Sequence, residues 1–250
     1  MRTILITGCS SGFGLETARH FLAQGWTVIA TMRTPKPDLL PTSDRLTILP
    51  LDVTDPDSIA AAVAAAGEID VLVNNAGIGW LNAVEGTPMP IVRDIFETNT
   101  FGTIAMIQAV LPQFRARRAG VIINVTSSVT LKTYDLLSVY TASKAAVNAL
   151  TEVMALELAP FGIRSHVVLP GQAPGTAFGA NARERIMQAG GFPEPYTEMV
   201  QGVFARMSAG TDEDKTQAED VVAAIWRVAT DPTASIRLPA GADAVALFKG

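Results

Sequence analysis

Short β-branched apolar runs alternate along this chain with longer segments of helical period, and that alternation leaves few folds open. Thr3–Thr7 (TILIT), Thr27–Thr31 (TVIAT), Leu46–Leu51, Asp70–Val73, Gly120–Val125 (GVIINV), Arg164–Leu169 and a weaker Ser235–Leu238 read as strands. Between the first two, Leu15, Ala18 and Leu22 share one helical face, Glu16, Arg19 and His20 lie off it, and Gly25 ends the helix. Asp55–Ala66 is a second helix, capped by Asp55 or Thr54 with Pro56 at its first position. Ile91 to Arg117, Ser138–Pro160 and Gln217–Thr230 are the others. Strands separated by helices pair side by side through crossovers. The expected fold is therefore α/β: a doubly wound parallel sheet of six to seven strands with helices on both faces.

Composition agrees. Hydrophobic residues make up 48% of the 250 and charged residues 17%, which excludes a disordered chain and a coiled coil. The mean hydropathy of +0.28 suits strands buried on both faces. The net charge of −5, with no basic cluster beyond Arg115, Arg117 and Arg118, argues against nucleic acid as a partner. No apolar run approaches the roughly 18 residues of a membrane span, and no secretory signal opens the chain, so we expect a cytoplasmic protein without a membrane partner. The single cysteine, Cys9, excludes an internal disulfide, and two histidines in unrelated settings, His20 and His166, give no metal site. We expect one domain over 1–250. Residues 172–215 lack a clean strand period and hold Gly190, Gly191, Pro193, Pro195 and scattered Met and Phe. We take them as a substrate lid rather than an irregular excursion.

Chemistry concentrates in two places. Thr7-Gly8-Cys9-Ser10-Ser11-Gly12-Phe13-Gly14 joins the first strand to the first helix. Glycines there allow a tight turn and close approach to a pyrophosphate, and the helix N-terminus behind supplies free N–H groups. The spacing is Gly-x-x-x-Gly-x-Gly. The second strand ends in Met32 and Arg33 where an acidic residue would take the adenosine ribose hydroxyl, so Arg33 points to a 2′-phosphate and to NADP over NAD. Farther on, Tyr140 and Lys144 are four apart in a helical segment and share a face. A lysine cation beside a tyrosine favours the tyrosinate and lowers its pKa. Asn99, four residues from both Ile95 and Thr103, is a polar amide on an inward helical stripe and needs a partner.

TGCSSGFG at 7–14, NNAG at 74–77, Asn99, Ser127, YTASK at 140–144 and Pro170-Gly171 stand in the order and spacing of the short-chain dehydrogenase/reductase family. The chain resembles its branch of single-domain enzymes of about 250 residues, a Rossmann-like fold. The resemblance implies hydride transfer between a nicotinamide and a carbonyl/alcohol pair. It makes Tyr140 the general acid or base, and Lys144 both the tuner of Tyr140 and a ligand of the nicotinamide ribose. Asn99 becomes the anchor of a water, and Ser127 the substrate hydrogen-bond donor. The family's serine lies thirteen residues before its tyrosine, which selects Ser127, with Ser128 the alternative. Gly8, Ser10, Ser11, Gly12, Phe13, Gly14, Asn75, Ala76, Gly77 and Ala173 are implied cofactor contacts, and Asp52 and Val53 the adenine contact. One departure weakens a carry-over: Gly175 stands where the family has threonine, and Thr176 comes one residue late.

Trp80, Leu81, Leu131, Tyr134, Leu136, Leu137 and Phe178 are the expected pocket walls, with Lys132 the nearby cation. They favour a bulky apolar ketone or secondary alcohol, as in a carbonyl reductase (ketoreductase). An NAD-dependent alcohol dehydrogenase and an idle dinucleotide-sensing protein are the rival readings. A complete Asn99, Ser127, Tyr140 and Lys144 set argues against the idle one. The resemblance also implies a homotetramer or homodimer, built on the Ile91–Arg117 and Ser138–Pro160 helices, with Met106, Ile107, Val110 and Phe114 as surplus apolar surface.

Overall fold

Seven strands define the architecture in a computed structural model that describes residues 2–209, 211 and 214–249. They are β1 (Thr3–Ile6), β2 (Thr27–Met32), β3 (Leu46–Pro50), β4 (Val71–Asn74), β5 (Gly120–Val125), β6 (Ile163–Pro170) and β7 (Arg237–Ala240). All pair in parallel, in the order β3-β2-β1-β4-β5-β6-β7. The helices around them are α1 (Gly12–Ala23), α2 (Pro56–Ala66), α3 (Met89–Phe96), α4 (Gly102–Arg117), α5 (Ser138–Leu158), α6 (Ala177–Gln188), α7 (Thr197–Ser208), α8 (Ala218–Thr230) and α9 (Ala242–Lys249).

The two-residue period of each strand splits the core. Ile4, Ile6, Val28, Ala30, Val71 and Val73 face α1 and α8. Leu5, Ile29, Leu72 and Ile122 face α2, α4 and α5. Both faces are covered, which is why the strands are almost continuously apolar. A third cluster, containing Trp80, Leu81, Ile95, Leu136, Val139, Ile186 and Val203, roofs one end of the sheet.

Four expectations change. The 91–117 segment is continuously helical but not uniformly α: α3 passes into a π turn at Glu97–Phe101 before α4 resumes. Residues 172–215 hold two helices, α6 and α7, because Ile186 and Val203 recur on faces that pack into the third cluster. The last strand is shifted toward Ala240 and is followed by α9. Finally, Met106, Ile107, Val110 and Phe114 are fully buried against the sheet of their own chain, so they offer no surface to a second copy.

A polar ladder ties α5 to the sheet. Asn74 Nδ2 donates to Asn124 Oδ1 at 2.8 Å, and Asn124 Nδ2 donates to Thr151 Oγ1 on α5 at 2.8 Å. Ser165 Oγ on β6 donates to the Thr151 carbonyl at 2.8 Å. Buried amides of this kind are stable only when paired, so they fix one register for the helix.

Phe114 shows what the apolar contacts contribute. It packs so closely on Gly120 that a Cβ there would lie 2.2 Å from the ring. Phe114→Ala leaves a cavity that cannot collapse and is expected to cost about 3–5 kcal/mol. Urea unfolding would check this, and a loss below about 1 kcal/mol would contradict the burial.

Candidate active site

The carboxyl ends of the strands gather every residue singled out by the motifs. The turn after β1 carries Gly8, Ser10, Ser11, Gly12, Phe13 and Gly14. Gly8 and Gly12 have φ of +76° and +56°, a region that side chains disfavour. A Cβ on Gly14 would lie 2.4 Å from the Gly8 carbonyl oxygen, and one on Gly8 2.9 Å from the Ala76 Cα. The segment after β4 braces this turn. Asn75 Nδ2 donates to the carbonyls of Thr7 (2.9 Å) and Gly8 (3.1 Å), while Thr7 Oγ1 accepts from the Asn75 and Ala76 amides at 3.0 Å each. Ser11, the N-cap of α1, makes no side-chain cap. The first amides of α1 therefore face a concave glycine turn, which fits a phosphate bound there.

Arg33 stands exposed at the tip of β2. Asp52, after β3, is held below the usual carboxylate range, first by the Thr54 amide and also by the Arg33 charge, so the two side chains lie within electrostatic reach. Val53 is buried beside it and packs on Gly102. Ala173, after β6, accepts from the amide and hydroxyl of Thr176. Thr176 lies over the glycine turn, its Cβ 3.5 Å from where a Gly12 Cβ would be, so the extra residue in the chain still brings a threonine to this place.

The π turn explains Asn99. Its Oδ1 accepts from the Ile78 amide at 2.8 Å, and its Nδ2 donates to the Ile78 carbonyl at 3.0 Å and to Ser143 Oγ at 3.1 Å. Widening the helix by one residue per turn turns that amide sideways onto the β4 exit. A Cβ on Gly77 would sit 3.2 Å from both Asn99 Oδ1 and Lys144 Nζ, so the glycine keeps the space between them open.

Tyr140 and Lys144 are both buried on α5. Lys144 Nζ donates to the Val125 carbonyl at 3.1 Å. Burial pushes the Lys144 ammonium down to about 8 and the Tyr140 phenol up to about 12, and a hydrogen bond from Ser127 acts the other way on Tyr140. The lowering of Tyr140 expected from its lysine neighbour is not what shifts the phenol: desolvation raises it, and Ser127 is what opposes the rise. Ser127, and not Ser128, is the serine on the tyrosine: Ser128 enters a 3₁₀ turn, where its carbonyl accepts from Leu131. The Phe178 ring stands 5.9 Å from that of Tyr140, tilted by 56°.

The expected pocket walls divide. Phe178 and Tyr134 are partly exposed. Trp80, Leu81 and Leu136 are instead the interior of the roof, and Trp80 Nε1 is bonded to Thr87 Oγ1. Asp243 and Thr216, joined to the backbone just after β6, were missed: neither lies in a motif, and only the closed fold brings them there.

A family model described as short chain dehydrogenase matches residues 2–186. The chain belongs to that family. Its parallel sheet is the Rossmann-like one described above. It is 38% identical over 200 residues to retinol dehydrogenase 8 of Bos taurus, an alignment covering 75% of this chain. The chain spans 64% of the length of that relative and 58% of its human counterpart. A short-chain dehydrogenase from Streptomyces avermitilis superposes with a TM-score of 0.84 at 33% identity, covering 100% of this chain and 92% of the other. A Burkholderia cenocepacia J2315 short chain dehydrogenase in complex with NADP gives 0.77 at 26%, covering 100% and 94%. Among the described residues no helix is long and apolar enough to cross a membrane, and no cluster of three or more His, Cys, Asp or Glu could hold a metal.

Proposed function

We propose that the enzyme interconverts a bulky apolar ketone and its secondary alcohol with NADP, as a carbonyl reductase. The observation that carries this is the buried Tyr140 phenol, with Ser127 close enough to act on it and the Phe178 ring 5.9 Å away. When bound, the nicotinamide supplies or accepts the hydride. The chain's residues do the rest. Gly8 to Gly14, with the amides of α1, hold the pyrophosphate. Asp52 and Val53 flank the adenine, and Asn75 to Gly77 line the floor. Lys144 holds the ribose hydroxyls, and Ala173 presents its backbone to the carboxamide. Ser127 donates a hydrogen bond to the substrate oxygen, and Tyr140 delivers its proton to that oxygen in reduction. Asn99 anchors a water beside Lys144.

Arg33 supports NADP, since it is exposed where a 2′-phosphate would lie and no acidic residue shares the strand tip. The NADP-bound Burkholderia cenocepacia neighbour points the same way. NADPH is expected to bind more tightly than NADH, and Arg33→Ala to erase most of the difference. A charged hydrogen bond of this kind contributes about 1.5–3 kcal/mol, roughly ten- to a hundredfold. A fluorescence titration showing tighter NADH binding by the wild type would refute the assignment.

Tyr140→Phe keeps the ring and removes the proton. Turnover is expected to vanish with dinucleotide binding retained, and Ser127→Ala to lose far more turnover than Ser128→Ala. Ketone reduction needs neutral Tyr140 and cationic Lys144. With the phenol near 12 and the ammonium near 8, the neutral phenol persists through neutral pH while the cation is lost above about pH 8. The reductive rate should fall above that pH, and a profile flat to pH 10 would contradict the pairing.

Residues 172–215 serve as the lid. Ile186 and Val203 anchor α6 and α7 in the roof, so closure belongs to the start of α6, where Thr176 and Phe178 lie over the groove. The apolar ring over the tyrosine, and a relative named for retinol, support a bulky apolar substrate. Amide exchange across 173–182 should slow when NADP and a substrate analogue are added together. Unchanged exchange would remove the lid.

We propose a homodimer or homotetramer whose contacts lie on other residues of the 91–117 and 138–160 segments. Val153 and Leu156 on α5 are 55% and 77% exposed, and Phe101 beside α4 is 52% exposed. Buried assembly contacts would cover them. Light scattering at micromolar concentration is expected to give at least twice the 26.4 kDa chain mass, and a particle of single mass would reject it.

A further inference from the structure

Three segments far apart in sequence meet at one carboxylate beside the groove. Asp243, in the first turn of α9, accepts from the Gln172 amide at 2.7 Å, from Thr216 Oγ1 at 2.7 Å and from the Ala244 amide at 2.9 Å. Thr216 is itself almost wholly buried. Its hydroxyl oxygen accepts from the Gly171 amide at 2.8 Å, and its amide donates to the Gln172 carbonyl at 3.0 Å.

Two glycines make room for this clasp. A Cβ on Gly171 would lie 2.1 Å from Asp243 Oδ1. A Cβ on Gly241, whose φ is +97°, would lie 2.0 Å from Thr216 Oγ1. Neither position admits a side chain while the clasp is closed. The carboxylate also acts beyond it: the Tyr134 phenol, on the loop before α5, is raised by burial and then by the Asp243 charge. Asp243 therefore lies between the strap after β6 and the loop that leads to Tyr140.

The strap leads back to the glycine turn. Gln172 is followed by Ala173, whose carbonyl accepts from the amide and hydroxyl of Thr176, and Thr176 rests over Gly12. We infer that Asp243 is a positioning residue: by gripping Gln172 and Thr216 it sets how closely the 171–176 strap lies over the glycine turn, and so how firmly the pyrophosphate and the part of the cofactor beyond it are held. This rests on the dinucleotide reading of the site. A carboxylate that only stapled α9 to the sheet would affect all ligands alike through stability. One that sets the strap affects only ligands reaching beneath it.

The test is calorimetric binding to the full chain of NADP and, separately, of adenosine 2′,5′-bisphosphate, which lacks the pyrophosphate bridge and all beyond it. If the wild type prefers NAD, the pair is NAD and AMP. Asp243→Ala is expected to weaken the dinucleotide about tenfold, as for loss of hydrogen bonds to a charged group, and the fragment less than twofold. Asp243→Asn, whose amide oxygen still accepts from Gln172, should recover most of the loss. Thr216→Val opens the clasp from its other side and should reproduce the selectivity, which keeps the question answerable if Asp243→Ala does not fold. Equal weakening of both ligands, or of neither, would overturn the inference and leave the functional reading standing. A wild type that binds neither NADP nor NAD would overturn both.

Discussion

The carboxyl edge of the sheet is organised by how closely two backbones approach at Gly8 and Ala76. No side chain fits between them, and none fits between Gly14 and the Gly8 carbonyl. That approach lets one asparagine side chain, Asn75, reach two carbonyls of the turn, and lets Thr7 Oγ1 take two amides of the β4 exit. Four hydrogen bonds thus join β1 and β4 beyond the point where strand pairing stops. Polar backbone left unpaired there would carry a desolvation cost of about 1–3 kcal/mol per group. The same bonds leave the first amides of α1 uncommitted, which is what an anion needs.

Burial is the second constraint, and it sets the chemistry of α5. Tyr140 and Lys144 are carried inward by a helix whose inner face is pinned through Thr151 to the Asn124 and Asn74 ladder. The opposite flank is pinned by Ser143, which accepts from Asn99 and donates to the Tyr140 carbonyl at 2.7 Å. A helix held from both sides cannot relieve the desolvation of its ionisable groups by moving them out. The pKa values respond instead, the phenol upward and the ammonium downward. Under the proposed roles of Tyr140 and Lys144, the working range is bounded by the lower of these two values.

The parallel sheet was legible because the strand period and the helix period alternate cleanly, and burial on both faces leaves little polar residue to blur them. The turn at 7–14 and the Tyr140–Lys144 pair were legible because their geometry is local: a turn and one helical step. What escaped is non-local. The π turn at Glu97–Phe101 depends on Asn99 finding Ile78, across a sequence gap that no helical period encodes. Helix α6 is polar along most of its length, α7 mixes apolar and polar residues, and their buried anchors, Ile186 and Val203, show only against Trp80, Leu136 and Val139. Met106, Ile107, Val110 and Phe114 were misjudged for a related reason: a wide apolar stripe says that a helix is covered, not by which partner.

Energetics then divides the proposed lid into a fixed part and a loose one. Ile186 and Val203 each bury an aliphatic side chain worth roughly 1.5–3 kcal/mol in the roof. The polar ties of the same helices, Arg185 to Asp94 and Arg206 to Asp135, are exposed ion pairs worth about 0–1 kcal/mol each. Releasing α6 and α7 as a unit must expose both aliphatic anchors. Releasing only the start of α6 exposes neither. Gly175 and Gly179 have nothing within 4 Å of a Cβ position, and the Thr176 N-cap makes no side-chain bond to the helix it begins. Two contacts hold it: Thr176, bonded back to Ala173 and lying over Gly12, and Phe178, tilted toward Tyr140 and close over Gly79. A movement confined to residues 174–180 therefore displaces one threonine and one aromatic ring, and an apolar substrate carbon placed against Tyr140 would restore the contact that the ring gives up.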